Sequence, residues 1–267
     1  MRKQLYPSDL TNREWNRIKK FIPAAKPGGR PRAIDPRAIV NAVCYVRQGG
    51  IAWRMMPHDL PNWKTVYHYF RLWRTGGLWK QMHDRIRGDC RVAEGRDRQP
   101  SAALLDRQSV KTTDVGGPAR GYAAGKKIAG RTRHLWVDVL GWVLVAVVHS
   151  AGVQDWHGAR DVCEHVRHRF SRLRHMWADS ISGNGGLPAW VWELRDRGKL
   201  WLEIVRREPG QKGFAVLPRR WVVERTFGWF IRQRRLVRDY EYLPETSETM
   251  MYIAMTRLML RRLENNS

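Results

Sequence analysis

The chain has 267 residues, enough for one large domain or two small ones with cores of their own, and its 49 Lys and Arg against 25 Asp and Glu give a formal charge of +24. That field, together with 14 tryptophans, points to a polyanionic partner, and cations mixed with stacking rings suit nucleic acid better than a membrane. The composition argues against a spanning or secreted protein: the best apolar run, Val137 to Val148, is short and carries Asp138, no signal peptide is evident, and Cys44, Cys90 and Cys163 form no CxxC pair. Reduced thiols and a cytoplasmic setting, the bacterial nucleoid, are expected.

Thr11-Asn12-Arg13-Glu14 is a capping box with Leu10 and Trp15 as its staple, and Trp15, Ile18 and Ile22 mark the buried face of a first helix. Pro23 to Ala33 is a Pro/Gly/basic connector, read as a flexible linker or a minor-groove arm. Asp35-Pro36 starts a second helix with Ile39, Val43 and Val46 as its stripe, ended by Gly49-Gly50. The next helix, Trp63 to Thr75, sets Val66, Phe70 and Trp73 on one side and Lys64, His68 and Arg71 on the other. This succession is either a helix-turn-helix reading DNA through Lys64, His68 and Arg71, or an ordinary three-helix bundle with a solvated basic face. Gly88 to Pro100 reads as polar linker, which divides the chain into an all-α part at 1–90, a linker at 91–100 and a second part at 101–267.

Past the linker the pattern changes. Ala102 to Asp106 is an apolar run into an acid, and Thr112 to Arg133 reads as a glycine-rich loop with many cations. His134 to Val148 holds two strands joined at Gly141, and Asp155 to Leu173 has helical spacing. His175 to Asp179 again runs into an acid, Leu202–Val205 and Phe214–Leu217 read as strands, and a helix follows around Glu224 with Val223, Phe227 and Phe230/Ile231 as its stripe. Glu224 stands among arginines. Ion pairing with Arg220 four residues earlier is one reading, and a divalent cation held in front of a phosphodiester is the other. Strands before a helix allow Asp106, Asp179 and Glu224 to converge at one sheet edge, although spacing alone would admit other trios from the 25 acids. Such an oxygen set suits two Mg²⁺ or Mn²⁺ ions, with Asp106 bridging, for in-line phosphodiester displacement. Cys163, His165 and His168 lack a four-ligand set for zinc, Asp138 reads as a buried hydrogen-bonded acid, His134 as a packing residue, and no P-loop predicts NTP use.

Leu105-Asp106-Arg107-Gln108-Ser109-Val110-Lys111-Thr112-Thr113, Arg120-Gly121-Tyr122, Gly125-Lys126-Lys127 and Gly130-Arg131-Thr132-Arg133-His134 together resemble the first catalytic block of bacterial insertion-sequence transposases. The resemblance is to the Asp-Asp-Glu enzymes of the insertion-sequence-five type. It extends to Tyr6–Thr11, Lys26–Arg32, Trp53–His58, Trp63–Phe70, Leu217–Phe227 and Tyr240–Arg262. It implies an α/β, ribonuclease-H-like mixed-sheet catalytic domain behind a helical DNA-binding domain. It also implies Asp106, Asp179 and Glu224 as catalytic and metal-binding acids, and terminal inverted repeats as the DNA. Where the family continues Gly-Gly-Tyr-x-Gly after the second acid, this chain has Ser180-Ile181-Ser182-Gly183-Asn184, and position 123 is Ala where Asp is common.

The reading is therefore a transposase that cleaves double-stranded DNA at its element's ends and transfers the strands, acting as a homodimer on DNA. Lys126, Lys127, Arg131, Arg220 and Arg225 are expected to touch phosphates. The alternatives are an inactive DNA-binding relic, motivated by the altered run after Asp179, and a metal-dependent nuclease without strand transfer.

Overall fold

A computed structural model describes residues 6–24, 34–114, 116–117, 119–153, 169–179, 191, 200–205 and 220–265. The basic connector beyond residue 24, the Cys163/His165/His168 group with most of the helix expected around it, the run after Asp179, and Phe214–Leu217 lie outside the described residues.

The first helices form where their caps and stripes put them. In α1 (Asn12–Ile18) the Thr11 hydroxyl accepts from the Glu14 amide at 3.1 Å, and the Glu14 carboxylate accepts from the Thr11 amide at 2.8 Å. Helix α2 (Pro36–Gly49) starts on Asp35, buries Ile39, Val43 and Val46, and stops at Gly50, whose φ of 71° is left-handed. Helix α3 (Trp63–Thr75) is capped by Asn62; it buries Val66, Phe70 and Trp73 and leaves Lys64, His68 and Arg71 exposed.

The first part of the expected linker is helical. Helix α4 (Leu78–Ala93) runs through the first part of Gly88–Pro100, burying Leu78, Trp79, Met82, Ile86 and Cys90. Its charged residues disguise this stripe, because they are neutralised in place rather than solvated. Within 88–93, Asp89 takes Arg98 at 2.7 Å and Arg91 takes Asp138 at 2.5 Å, and one turn earlier Asp84 takes Lys80 at 3.0 Å, Arg87 at 2.9 Å and Arg169 at 2.6 Å. The apolar side packs on the long C-terminal helix α7 (Pro244–Asn265), where Cys90 Sγ donates to the Met259 carbonyl. One hydrophobic cluster thus runs from α1 through α4 into the sheet.

Among the described residues there are six strands in one mixed sheet: β1 (Ala102–Lys111), β2 (Gly121–Ala123), β3 (Ile128–Asp138), β4 (Val143–Ser150), β5 (His175–Asp179) and β6 (Trp201–Val205). The order is β2-β3-β1-β5-β6, with β4 also on β3; β3 is antiparallel to β1, while β5 and β6 run parallel to it. Much of the expected Thr112–Arg133 loop is strand. Gly130 explains the disguise, since a Cβ there would stand 2.0 Å from the Val110 carbonyl oxygen: the glycine permits close strand approach instead of breaking the strand. Residue alternation sorts the faces. Leu104, Leu135, Val137 and Trp177 look toward the helices, and Ala103, Leu105, Trp136, Met176 and Ala178 toward a second cluster.

Helix α7 covers the β4 edge. The Val148 amide donates to Glu248 at 2.9 Å and the Ala146 amide to the Tyr252 hydroxyl at 3.0 Å. Burial, with Glu245 adding to it, raises the Glu248 carboxyl from 4.5 to about 7 against the pull of the Val148 amide. Folded Glu248 then holds a proton that the unfolded chain releases, so its contribution to stability falls as pH rises from about 4.5 to 7. Glu248→Gln keeps the acceptor without the charge. Urea unfolding should find it about 1–2 kcal/mol more stable than wild type at pH 8 and equal at pH 4.5; an equal difference at both pH values would contradict this.

Candidate active site

Strand β5 ends at Asp179, whereas β1 continues to Lys111. The parallel register sets Leu105 beside Ala178, so Asp106 and Asp179 are the next neighbours on the two strands, on the face of Leu104 and Trp177. Beyond this level β1 pairs with β3 through Lys111 opposite Gly130. Asp106 therefore lies in mid-strand, not at the strand's end as its sequence suggests, but at the level where its neighbour stops. Both acids are nearly buried, 8% and 7% exposed.

Helix α5 (Trp221–Ile231) packs over the same face through Val222, Val223, Phe227 and Phe230. Ile231, expected in that stripe, is 56% exposed. Phe230, 1% exposed, completes the stripe, and Thr226 is also fully buried and donates to the Gly141 carbonyl at 2.8 Å. Glu224 stands exposed in the first turn of α5, where the helix dipole favours a carboxylate.

Asp106 senses the other two acids. Burial first, with the charges of Asp179 and Glu224 adding to it, raises its carboxyl from 3.8 to about 6, against the Arg107 amide at 2.7 Å and Arg220. Arg220, the expected partner of Glu224, reaches Asp106 instead, at 3.8 Å. Among the described residues no three His, Cys, Asp or Glu side chains already form a metal-holding cluster. The donor set still fits a hard divalent cation, because it is all carboxylate and the charges of Asp179 and Glu224 disfavour ionisation of the buried Asp106, a repulsion that such a cation would offset.

The cations expected to meet phosphate sort into two kinds. Lys64, His68, Arg71, Lys126 and Lys127 are exposed, the last two at the β2–β3 tip, where Lys127 has a φ of 52°. Arg131 is not exposed at all, and the phosphate expectation for it is corrected. It is 0% exposed, donates at 2.7 Å to the carbonyls of Gly116, Glu241 and Tyr242, and pairs with Asp239 at 3.4 Å. Its guanidinium holds the segment after Asp239 against the loop after β1. Arg225 is only partly free for phosphate: it donates to the Leu140 carbonyl at 2.9 Å and stacks between Trp221 and Trp229, at 4.6 and 4.9 Å.

Asp138 and His134 are structural. Asp138 is fully buried, paired with Arg91 at 2.5 Å, and accepts from the Leu140 and Trp142 amides. His134 is buried and stacks on His149 with a nitrogen–nitrogen distance of 2.7 Å. Sequence reasoning missed the Arg220–Asp106 contact and the buried arginines. For Arg131 and Arg133 the available signal was their alternation with Thr132 leading into the β3 apolar run.

Residues 97–259 match the family model described as "Transposase DDE domain". The chain belongs to that family. Residues 10–83 of this transposase match a second model, described as "Putative transposase of IS4/5 family". The chain is similar to the "Insertion element IS402 uncharacterized 16.2 kDa protein" of Burkholderia cepacia, 26% identical over 110 residues, which are 38% of this chain and 72% of that protein. It is also similar to "Uncharacterized protein y4sN" of Sinorhizobium fredii (strain NBRC 101917 / NGR234), 26% identical over 73 residues, 27% of this chain and 58% of that protein. Among solved structures, the piggyBac transposase synaptic complex with hairpin DNA aligns at 11% identity and a TM-score of 0.35, covering 63% of this chain and 48% of that one.

Proposed function

We propose that this transposase cleaves DNA at the terminal inverted repeats of its insertion sequence and transfers the freed strands, using Asp106, Asp179 and Glu224 as a three-carboxylate metal centre. The observation that carries this reading is the placing of Asp106 and Asp179 one position beyond the Leu105–Ala178 pair, where β5 ends, under a helix that presents Glu224. The strand order, β1 to β4 joined by antiparallel pairings and then β5 and β6 parallel to β1, supports a ribonuclease-H-like catalytic part from about residue 101. Two Mg²⁺ or Mn²⁺ ions bound there would activate the attacking oxygen and take charge from the departing 3′-oxygen. The protein's own work is positioning. Arg220 sits beside the carboxylates to hold the scissile phosphate, and Lys126, Lys127 and part of Arg225 extend that grip. Lys64, His68 and Arg71 on α3 read the element's end in helix-turn-helix fashion. Two ends must be brought together, which favours a homodimer on DNA within the nucleoid.

The altered run after Asp179 motivates a second reading, a relic that binds the ends and never cuts. A fragment carrying the gene's own flanks, incubated with Mg²⁺ or Mn²⁺, separates the readings. Cleavage at the ends by wild type, abolished in Glu224→Ala, is the expected result. No cleavage by wild type, with activity restored by Gly-Gly-Tyr after Asp179, would establish the relic. Cut ends that never join would leave a nuclease.

A further inference from the structure

The connection between α5 and α7, residues 232–243 with the short helix α6 (Arg234–Val237), turns its acids inward. Asp239 is 1% exposed, with its amide on the Lys111 carbonyl and its carboxylate on Arg131 and the Glu241 amide. Glu241 is 6% exposed and paired with Arg235 at 2.7 Å. The intervening positions alternate outward: Arg238 is exposed, and Tyr240 and Tyr242 are 44% and 59% exposed. Arg232 and Arg234 are exposed just before them. The outer side of this connection is therefore cationic and aromatic, and neither acid within 232–243 is exposed.

Buried arginines hold the strip in place. Arg47 of α2 donates to Gln233 at 2.5 Å, Arg133 to the Leu236 carbonyl at 2.7 Å, and Arg235 to the Ile51 carbonyl at 2.6 Å. Desolvating that many guanidiniums is expensive and yields a backbone with little freedom. The strip also lies between the two proposed DNA sites. It abuts the α2–α3 turn, since a Cβ on Gly50 would stand 2.9 Å from Arg234 Cβ. It meets β1 at Lys111, five residues beyond Asp106, roughly 17 Å by the rise of a strand.

We propose that Arg232, Arg234, Arg238, Tyr240 and Tyr242 form a phosphate-binding track for duplex DNA, joining the α3 face to the carboxylate site. The inference rests on the DNA-cleaving reading above. Arginines and tyrosine hydroxyls grip phosphate oxygens without reading sequence, so the track sets the distance from the recognised repeat to the scissile bond.

The test is fluorescence anisotropy on two duplexes, one carrying the element's end and one scrambled, between 50 and 300 mM KCl. Arg234→Ala/Arg238→Ala should bind both duplexes at least tenfold more weakly and lower the log–log salt slope by about two, with the melting temperature kept and Arg234→Lys/Arg238→Lys near wild type. An unchanged slope and affinity in the alanine pair would overturn the track while leaving the enzyme reading intact. A wild type that binds neither duplex would overturn both.

Discussion

Asp138→Ala is expected to remove about 3–5 kcal/mol of folding stability, the largest loss from a single side chain outside the active site. The carboxylate is fully buried; it holds Arg91 Nη1 at 2.5 Å and accepts from the Leu140 and Trp142 amides, each at 2.9 Å. Alanine leaves Arg91, itself 4% exposed, without a counter-charge, and strands two amides of the β3–β4 turn. Asp138→Asn keeps an oxygen for those amides and loses only the charge, so it should fall between alanine and wild type. The pair ties α4 to β3 and so joins the N-terminal helices to the sheet. Urea unfolding followed by circular dichroism gives the order directly. Losses below about 1 kcal/mol for both variants would show that the ion pair is not what holds α4 on the sheet.

Asp106→Asn should have effects of opposite sign on stability and activity. In the metal-free protein it relieves a buried carboxylate that faces Asp179 and Glu224, so the unfolding free energy above about pH 6 should rise, by on the order of 1–2 kcal/mol. Strand cleavage should fall on the order of a thousandfold or more, because the asparagine amide cannot replace an anionic ligand. A variant that is both less stable and comparably active would place Asp106 in the scaffold instead of the chemistry. Arg220 should matter in the same assay, since it is the cation beside Asp106.

Elements that bury one clean stripe were legible in the sequence. Helices α2 and α3 follow their caps and apolar positions, and the β3–β4 hairpin follows its two apolar runs and Gly141, whose φ is 84°. What hid was polar residues satisfied internally. The end of helix α4 looked like linker because Asp89 and Arg91 are paired in place with Arg98 and Asp138, and early β3 looked like loop because Arg131 directs its charge to carbonyls. The acids were visible as ends of apolar runs, yet spacing could not choose among 25 of them. The resemblance named three, and the β1–β5 register, a tertiary fact absent from any local pattern, sets Asp106 and Asp179 side by side. The inward turn of Asp239 and Glu241 depends likewise on distant arginines.

Mn²⁺ binding followed by electron paramagnetic resonance tests the metal centre most directly, because it needs neither the inverted repeat nor an active copy. Saturable binding by wild type that is lost in both Asp106→Asn and Glu224→Gln, with the fold intact, is the predicted result. Binding that survives both substitutions unchanged would place the metal elsewhere and contradict the three-carboxylate site.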